Sequence, residues 1–124
     1  MLEAASLVAF AATSDSRRAR HFYCDILGLG LKEETEFALV LDANGVELRL
    51  QKVEEVTPQP WTQLGWSVPD IAATVAALDE KGVSTERFSF LPQDEAGIWT
   101  TPDGVRVAWF KDPDGNVLSV TEFS

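Results

Sequence analysis

The sequence predicts an α+β fold made of two βαβββ halves. Two observations carry this prediction. The first is a turn followed by an apolar strand, written twice. Asp112-Pro113-Asp114-Gly115 separates Trp109-Phe110-Lys111 from the apolar residues 117–120, and Asp42-Ala43-Asn44-Gly45 precedes Val46-Glu47-Leu48-Arg49-Leu50. In the second turn proline presets φ, and in both a glycine permits the reversal. The second is a pair of aspartates, Asp15 and Asp70, each placed to cap a helix that follows a strand. The aspartates are 55 residues apart and the turns 70 residues apart. Longer hairpins in the second half absorb the 15-residue difference.

The elements follow in order. Residues 6–12 alternate weakly and read as a strand. After Ser14-Asp15, the side chains Ala19, Phe22, Tyr23, Ile26 and Leu27 keep the spacing of an amphipathic helix, which Gly28 or Gly30 ends. Residues 31–34, 37–41 and 46–51 are three short strands divided by polar or glycine turns. Residues 53–61 hold Pro58 and Pro60 and read as a linker. Residues 63–68 restart the pattern as a strand. Asp70 opens a helix with Ile71, Val75 and Leu78 on one face, and Gly82 stops it. Residues 83–90, 96–101 and 105–110 read as strands, with Pro102-Asp103-Gly104 as a hairpin turn, and 117–122 closes the chain. The expectation is one domain over 1–124, with module one at about 5–52, the linker at 53–61 and module two at about 62–123.

Composition narrows the function. The apolar content of 45%, with four tryptophans and seven phenylalanines, supplies a packed interior. No apolar run approaches the roughly 20 residues of a membrane span. The net charge of −10 argues against nucleic acid, whose phosphates need a basic footprint. It is the charge of a soluble acidic surface, or of a surface that attracts a cationic small molecule. A single cysteine, Cys24, cannot form an internal disulfide, and no basic, hydrophobic leader opens the chain. A cytoplasmic location is therefore expected.

The chain resembles the vicinal oxygen chelate superfamily, also called the glyoxalase/bleomycin-resistance/dioxygenase superfamily. The resemblance rests on Ala19-Arg20-His21-Phe22-Tyr23 with Leu27-Gly28-Leu29, on Gly65-Trp66-Ser67-Val68-Pro69-Asp70, and most specifically on residues 108–116, Ala-Trp-Phe-Lys-Asp-Pro-Asp-Gly-Asn. It spans roughly residues 6–122. It implies curled mixed sheets forming an open barrel-like cavity, and often a homodimer. In metal-dependent relatives it also implies four ligands, one on the first and one on the last strand of each module. Seven residues after Asp112 stands Ser119, and seven after Asp42 stands Arg49. Five before Val68 stands Gln63, and its first-half counterpart is Val8. A divalent metal needs imidazole, thiolate or carboxylate donors, which this quartet lacks, so no metal or other cofactor is expected. A two-residue slip would bring in only Glu47.

The remaining candidates line a pocket for an unknown small molecule. Arg49 on a cavity-facing strand could hold a ligand carboxylate or phosphate, or pair internally with Glu47. Gln63 and Ser119 offer neutral hydrogen bonds, and Thr121 shares the parity of Ser119. Trp99 and Trp109 are either stacking surfaces for a flat ligand or core residues. Trp66 and Glu122 have the opposite parity and belong on the helix side. His21, the lone histidine, reads as a solvated surface residue and Cys24 as a packing residue. Three functions follow: metal-free small-molecule binding of the drug-sequestering kind, a superfamily enzyme (lyase, isomerase or dioxygenase) with an atypical site, or a non-catalytic protein scaffold.

Overall fold

Both capping aspartates act as expected. In the computed structural model, which describes residues 1–124, Asp15 accepts from the Arg18 amide at 3.2 Å and opens α1 (Ser16–Arg20). Asp70 accepts from the Ala73 amide at 3.1 Å and opens α2 (Ile71–Glu80). Each satisfies a donor that a helix start would otherwise leave unpaired. The chain divides into two units, Met1–Thr57 and Pro58–Ser124.

The first unit holds β1 (Val8–Thr13), α1, β2 (Gly30–Glu34), β3 (Ala38–Ala43) and β4 (Val46–Lys52). Its sheet has the order β1-β4-β3-β2, with β1 and β4 parallel and the other pairs antiparallel. The second unit holds β5 (Thr62–Ser67), α2, β6 (Trp99–Thr100), β7 (Arg106–Lys111) and β8 (Val117–Glu122). Its sheet repeats that order as β5-β8-β7-β6, again with first and last strands parallel. In both sheets the last strand made sits between the first and the third. The architecture is thus α+β, with two open four-stranded mixed sheets.

Alternation along the strands separates two faces. Leu39, Leu41, Leu48 and Leu50 pair across β3 and β4 and are at most 1% exposed. Burying each contributes roughly 2–3 kcal/mol. In the second unit Ala108, Phe110, Leu118 and Val120 form the corresponding buried face, against which α2 turns Ile71, Val75 and Leu78. Glu122 lies on that side, its Oε1 accepting from the Ile71 amide at 2.9 Å. No helix is long and apolar enough to cross a membrane.

Two expectations need correction. The first helix is not α throughout: residues His21–Ile26 form a π-helical turn, closed by the Leu27 amide bonding to the Phe22 carbonyl at 2.9 Å. The wider turn buries two consecutive aromatics, Phe22 and Tyr23, edge to face at 5.2 Å. Residues 83–90 are not a strand, and the strand expected over 96–101 shrinks to Trp99–Thr100. Side chains take the backbone groups that a ladder would use. Asp94 accepts from the Ala96 and Ile98 amides, both at 2.9 Å. Gln93 donates to the Glu86 and Gly97 carbonyls and accepts from the Phe88 amide. One edge contact remains, Glu86 N–H to the Trp109 carbonyl at 2.7 Å.

Candidate functional site

On the first sheet, β1 and β4 bring Val8 opposite Glu47 and Phe10 opposite Arg49, on the face away from Leu48 and Leu50. Arg49 donates to Glu47 Oε2 at 3.0 Å, and Lys32 donates to Glu47 Oε1 at 3.1 Å. Glu47 therefore bridges two cations. The Arg49 guanidinium and then the Lys32 ammonium hold its carboxyl below the usual glutamate range. Arg49, one of the sequence candidates, has the internal partner that the sequence offered as an alternative to a ligand.

On the second sheet, Ser119, Thr121 and Trp109 share the face away from α2, with Trp109 opposite Ser119 and Val107 opposite Thr121. Trp99 pairs with Val107 and stacks on Trp109, rings 6.1 Å apart and 25° from parallel. Phe88 meets Trp109 edge to face at 5.3 Å, and Phe90, 77% exposed, lies 5.6 Å from Phe88. Four aromatic rings thus form one continuous patch. The register of β5 shifts between Thr62 and Leu64, and Thr62 Oγ1 accepts from Trp109 Nε1 at 3.2 Å. Gln63 stands exposed at that bulge. Gly65 lies opposite Ser119, where a Cβ would come within 2.8 Å of the serine oxygen. The absent side chain makes room for Ser119, itself buried.

Nothing in the sequence marks Thr62, Gly65, Phe88 or Phe90 as site residues. The two phenylalanines were absorbed into an expected strand. The bulge that turns Thr62 toward Trp109 leaves no mark in the letters. Trp66 and Glu122 keep the parity assigned to them, opposite Val120 and Arg106 respectively.

Val8, Arg49, Gln63 and Ser119 contribute no imidazole, thiolate or carboxylate, so these residues do not fit a divalent metal. Glu47, the nearest carboxylate in sequence, is committed to Arg49 and Lys32. No group of three or more His, Cys, Asp or Glu side chains anywhere could hold a metal ion. His21 is 68% exposed and lies 3.0 Å from Asp25. Cys24 is half-buried, and burial raises its thiol pKa against the opposing pull of Arg20. Neither gathers a catalytic group.

The sequence model of the Glyoxalase/Bleomycin resistance protein/Dioxygenase superfamily matches residues 6–120. No curated protein matches the chain. Among solved structures, SMU.1112c has a TM-score of 0.75 at 22% identity, covering 95% of this chain and 98% of that one. Lactoylglutathione lyase from Agrobacterium tumefaciens has a TM-score of 0.74 at 15% identity, with coverages of 95% and 93%. TnmS3, an antibiotic binding protein from Streptomyces sp. CB03234, has a TM-score of 0.70 at 28% identity, covering 98% of each chain.

Proposed function

The chain belongs to the glyoxalase/bleomycin resistance protein/dioxygenase superfamily, and from that premise we propose that it is a metal-free binding protein for a flat aromatic small molecule. It holds the ligand without making or breaking bonds. The carrying observation is the patch of Trp99, Trp109, Phe88 and Phe90 beside the hydroxyls of Thr62 and Ser119. Apolar walls with a few fixed polar groups suit enclosure of a ligand. Offset aromatic contacts contribute about 0.5–1.5 kcal/mol per pair beyond area burial. The donor set at the family's ligand positions supports the same reading, because Lewis-acid chemistry needs ligands that these residues do not supply. The likeness to an antibiotic binding protein at 28% identity adds support for sequestration of a drug-like molecule. Gln63 and Thr121 are proposed as rim contacts. Glu47 and Arg49, with Val8 beside them, are proposed as a separate charged ligand contact on the first sheet. We place the protein in the cytoplasm as a homodimer.

The test is a titration of purified protein with proflavine and with anthraquinone-2-sulfonate, following tryptophan emission, alongside elemental analysis. Saturable quenching by either compound, lost in Trp109→Leu, is the expected result. Stoichiometric bound zinc, iron, nickel or manganese, or no quenching by any planar compound, refutes the proposal.

A further inference from the structure

Ser119 is only 7% exposed, yet its hydroxyl makes no hydrogen bond within the chain. Every fully enclosed side-chain nitrogen or oxygen does have a partner, so the Ser119 oxygen still opens onto the surface of the sheet. A polar group this deep is normally bonded. Its neighbours explain why it is not. Gly65, its partner on β5, has no side chain, and an alanine Cβ there would stand 2.8 Å from the serine oxygen. Trp109, its partner on β7, gives its indole N–H to Thr62 Oγ1 instead. Directly opposed residues of an antiparallel pair have Cβ atoms about 4.5–5.5 Å apart. A ring lying against Trp109 therefore comes within reach of the serine hydroxyl.

Two neighbouring groups are left as donors. Thr62 Oγ1 accepts from Trp109, so its own hydrogen is free to be given. The Trp99 indole N–H has no acceptor within the chain and can only donate. No free charge stands among them: Lys111, next along β7 on this face, pairs with Glu86 at 3.6 Å. A charged ligand finds no unpaired counter-charge here, whereas a neutral one with an acceptor oxygen finds donors. On the reading of this patch as a binding site for a flat aromatic molecule, we propose that Ser119 selects, among such molecules, neutral ones with a carbonyl oxygen on the ring edge. The carbonyl accepts from the Ser119 hydroxyl while the ring covers Trp109. A ligand without that oxygen covers the serine and leaves it unbonded, and this difference is the source of the selection.

The experiment is equilibrium dialysis against 9-fluorenone and against fluorene, planar molecules that differ at one carbonyl. Fluorene is the more apolar of the two, so burial alone favours it. The wild-type protein should nonetheless hold fluorenone about fivefold or more tightly. Ser119→Ala should reverse that order, weakening fluorenone and leaving fluorene bound as before or more tightly. Ser119→Cys keeps the volume with only a weak donor and should give the same reversal, which covers an alanine chain that fails to fold. 9-Fluorenone-2-carboxylate, which adds a charge, should bind about fivefold or more weakly than fluorenone. The proposal is overturned by fluorene or the carboxylate matching fluorenone on the wild type, by an unchanged preference in the serine variants, or by no binding of fluorenone. Each of these outcomes leaves the patch standing as an aromatic site if proflavine still quenches tryptophan emission. Failure of every planar compound to bind overturns both readings.

Discussion

Substituting Gly97 by alanine should unfold the protein more readily than any other single methyl addition at a glycine. Gly97 has φ +88°, a conformation that costs an L-residue about 1–2 kcal/mol. An added Cβ would come within 2.7 Å of Thr85 Cβ and closer still to Thr85 Oγ1. Rotation of Thr85 would move Oγ1 but not Cβ, so relief requires the two segments to shift apart, which breaks the hydrogen bond from Thr85 to the Ala96 carbonyl at 2.8 Å, worth about 1 kcal/mol. The sum is about 2–3 kcal/mol. For a urea slope of about 2 kcal/mol/M, the unfolding midpoint should fall by roughly 1–1.5 M with the slope unchanged. Adding Thr85→Gly removes the clashing atoms and leaves only the φ cost. The double variant should therefore be more stable than the two single effects predict when summed, by about 1–2 kcal/mol. Urea denaturation followed by circular dichroism gives all four stabilities. A Gly97→Ala midpoint within about 0.3 M of the wild type, or strict additivity of the two changes, would refute the reasoning.

Gly65→Ala should also destabilise, because its Cβ would press on Ser119 Oγ at 2.8 Å, and Ser119→Ala in the same chain should restore most of the loss in thermal melts. Asp112→Ala should cost about 2–4 kcal/mol. Its buried carboxylate accepts from the amides of Asp114 and Asn116 and from the Asn116 side chain, and urea midpoints would read the loss. The Glu47 carboxyl is held low first by Arg49 and then by Lys32, and the Glu34 carboxyl is held low chiefly by Lys52. Because both folded pKa values lie below the unfolded ones, their stabilisation is present above about pH 4.3 and is lost as pH falls through the folded values. Stability of the Glu47→Gln/Glu34→Gln chain should decline less steeply than wild type below about pH 4.3. An equal slope would mean that the pairs contribute nothing.

The parts of the fold legible in the sequence are those governed by local chemistry. Asp15 and Asp70 cap helices because an aspartate before an apolar periodic run has few other uses. Parity placed Trp66 and Glu122 on the helix side, since a strand gives each residue only two faces. The rest depended on distant partners. Residues 83–90 have strand composition, yet the Gln93 side chain takes the Phe88 amide and the Glu86 carbonyl that a ladder would use. The π turn at His21–Ile26 costs the sequence no distinctive letter. Thr62 reaches Trp109 only because β5 slips by one residue there. In the same way, the commitment of Arg49 to Glu47 could be named as an option from the letters, while the addition of Lys32 from another strand could not.

The seating of β4 and β8 inside their sheets has a consequence during synthesis. When the ribosome has released β5, α2, β6 and β7, the strand β5 still lacks its only neighbour, because that neighbour is β8. The nascent chain must carry a raw edge until β8 slots into the gap. A premature stop at residue 116 would leave that gap permanently open and the stalled product prone to capture by other chains.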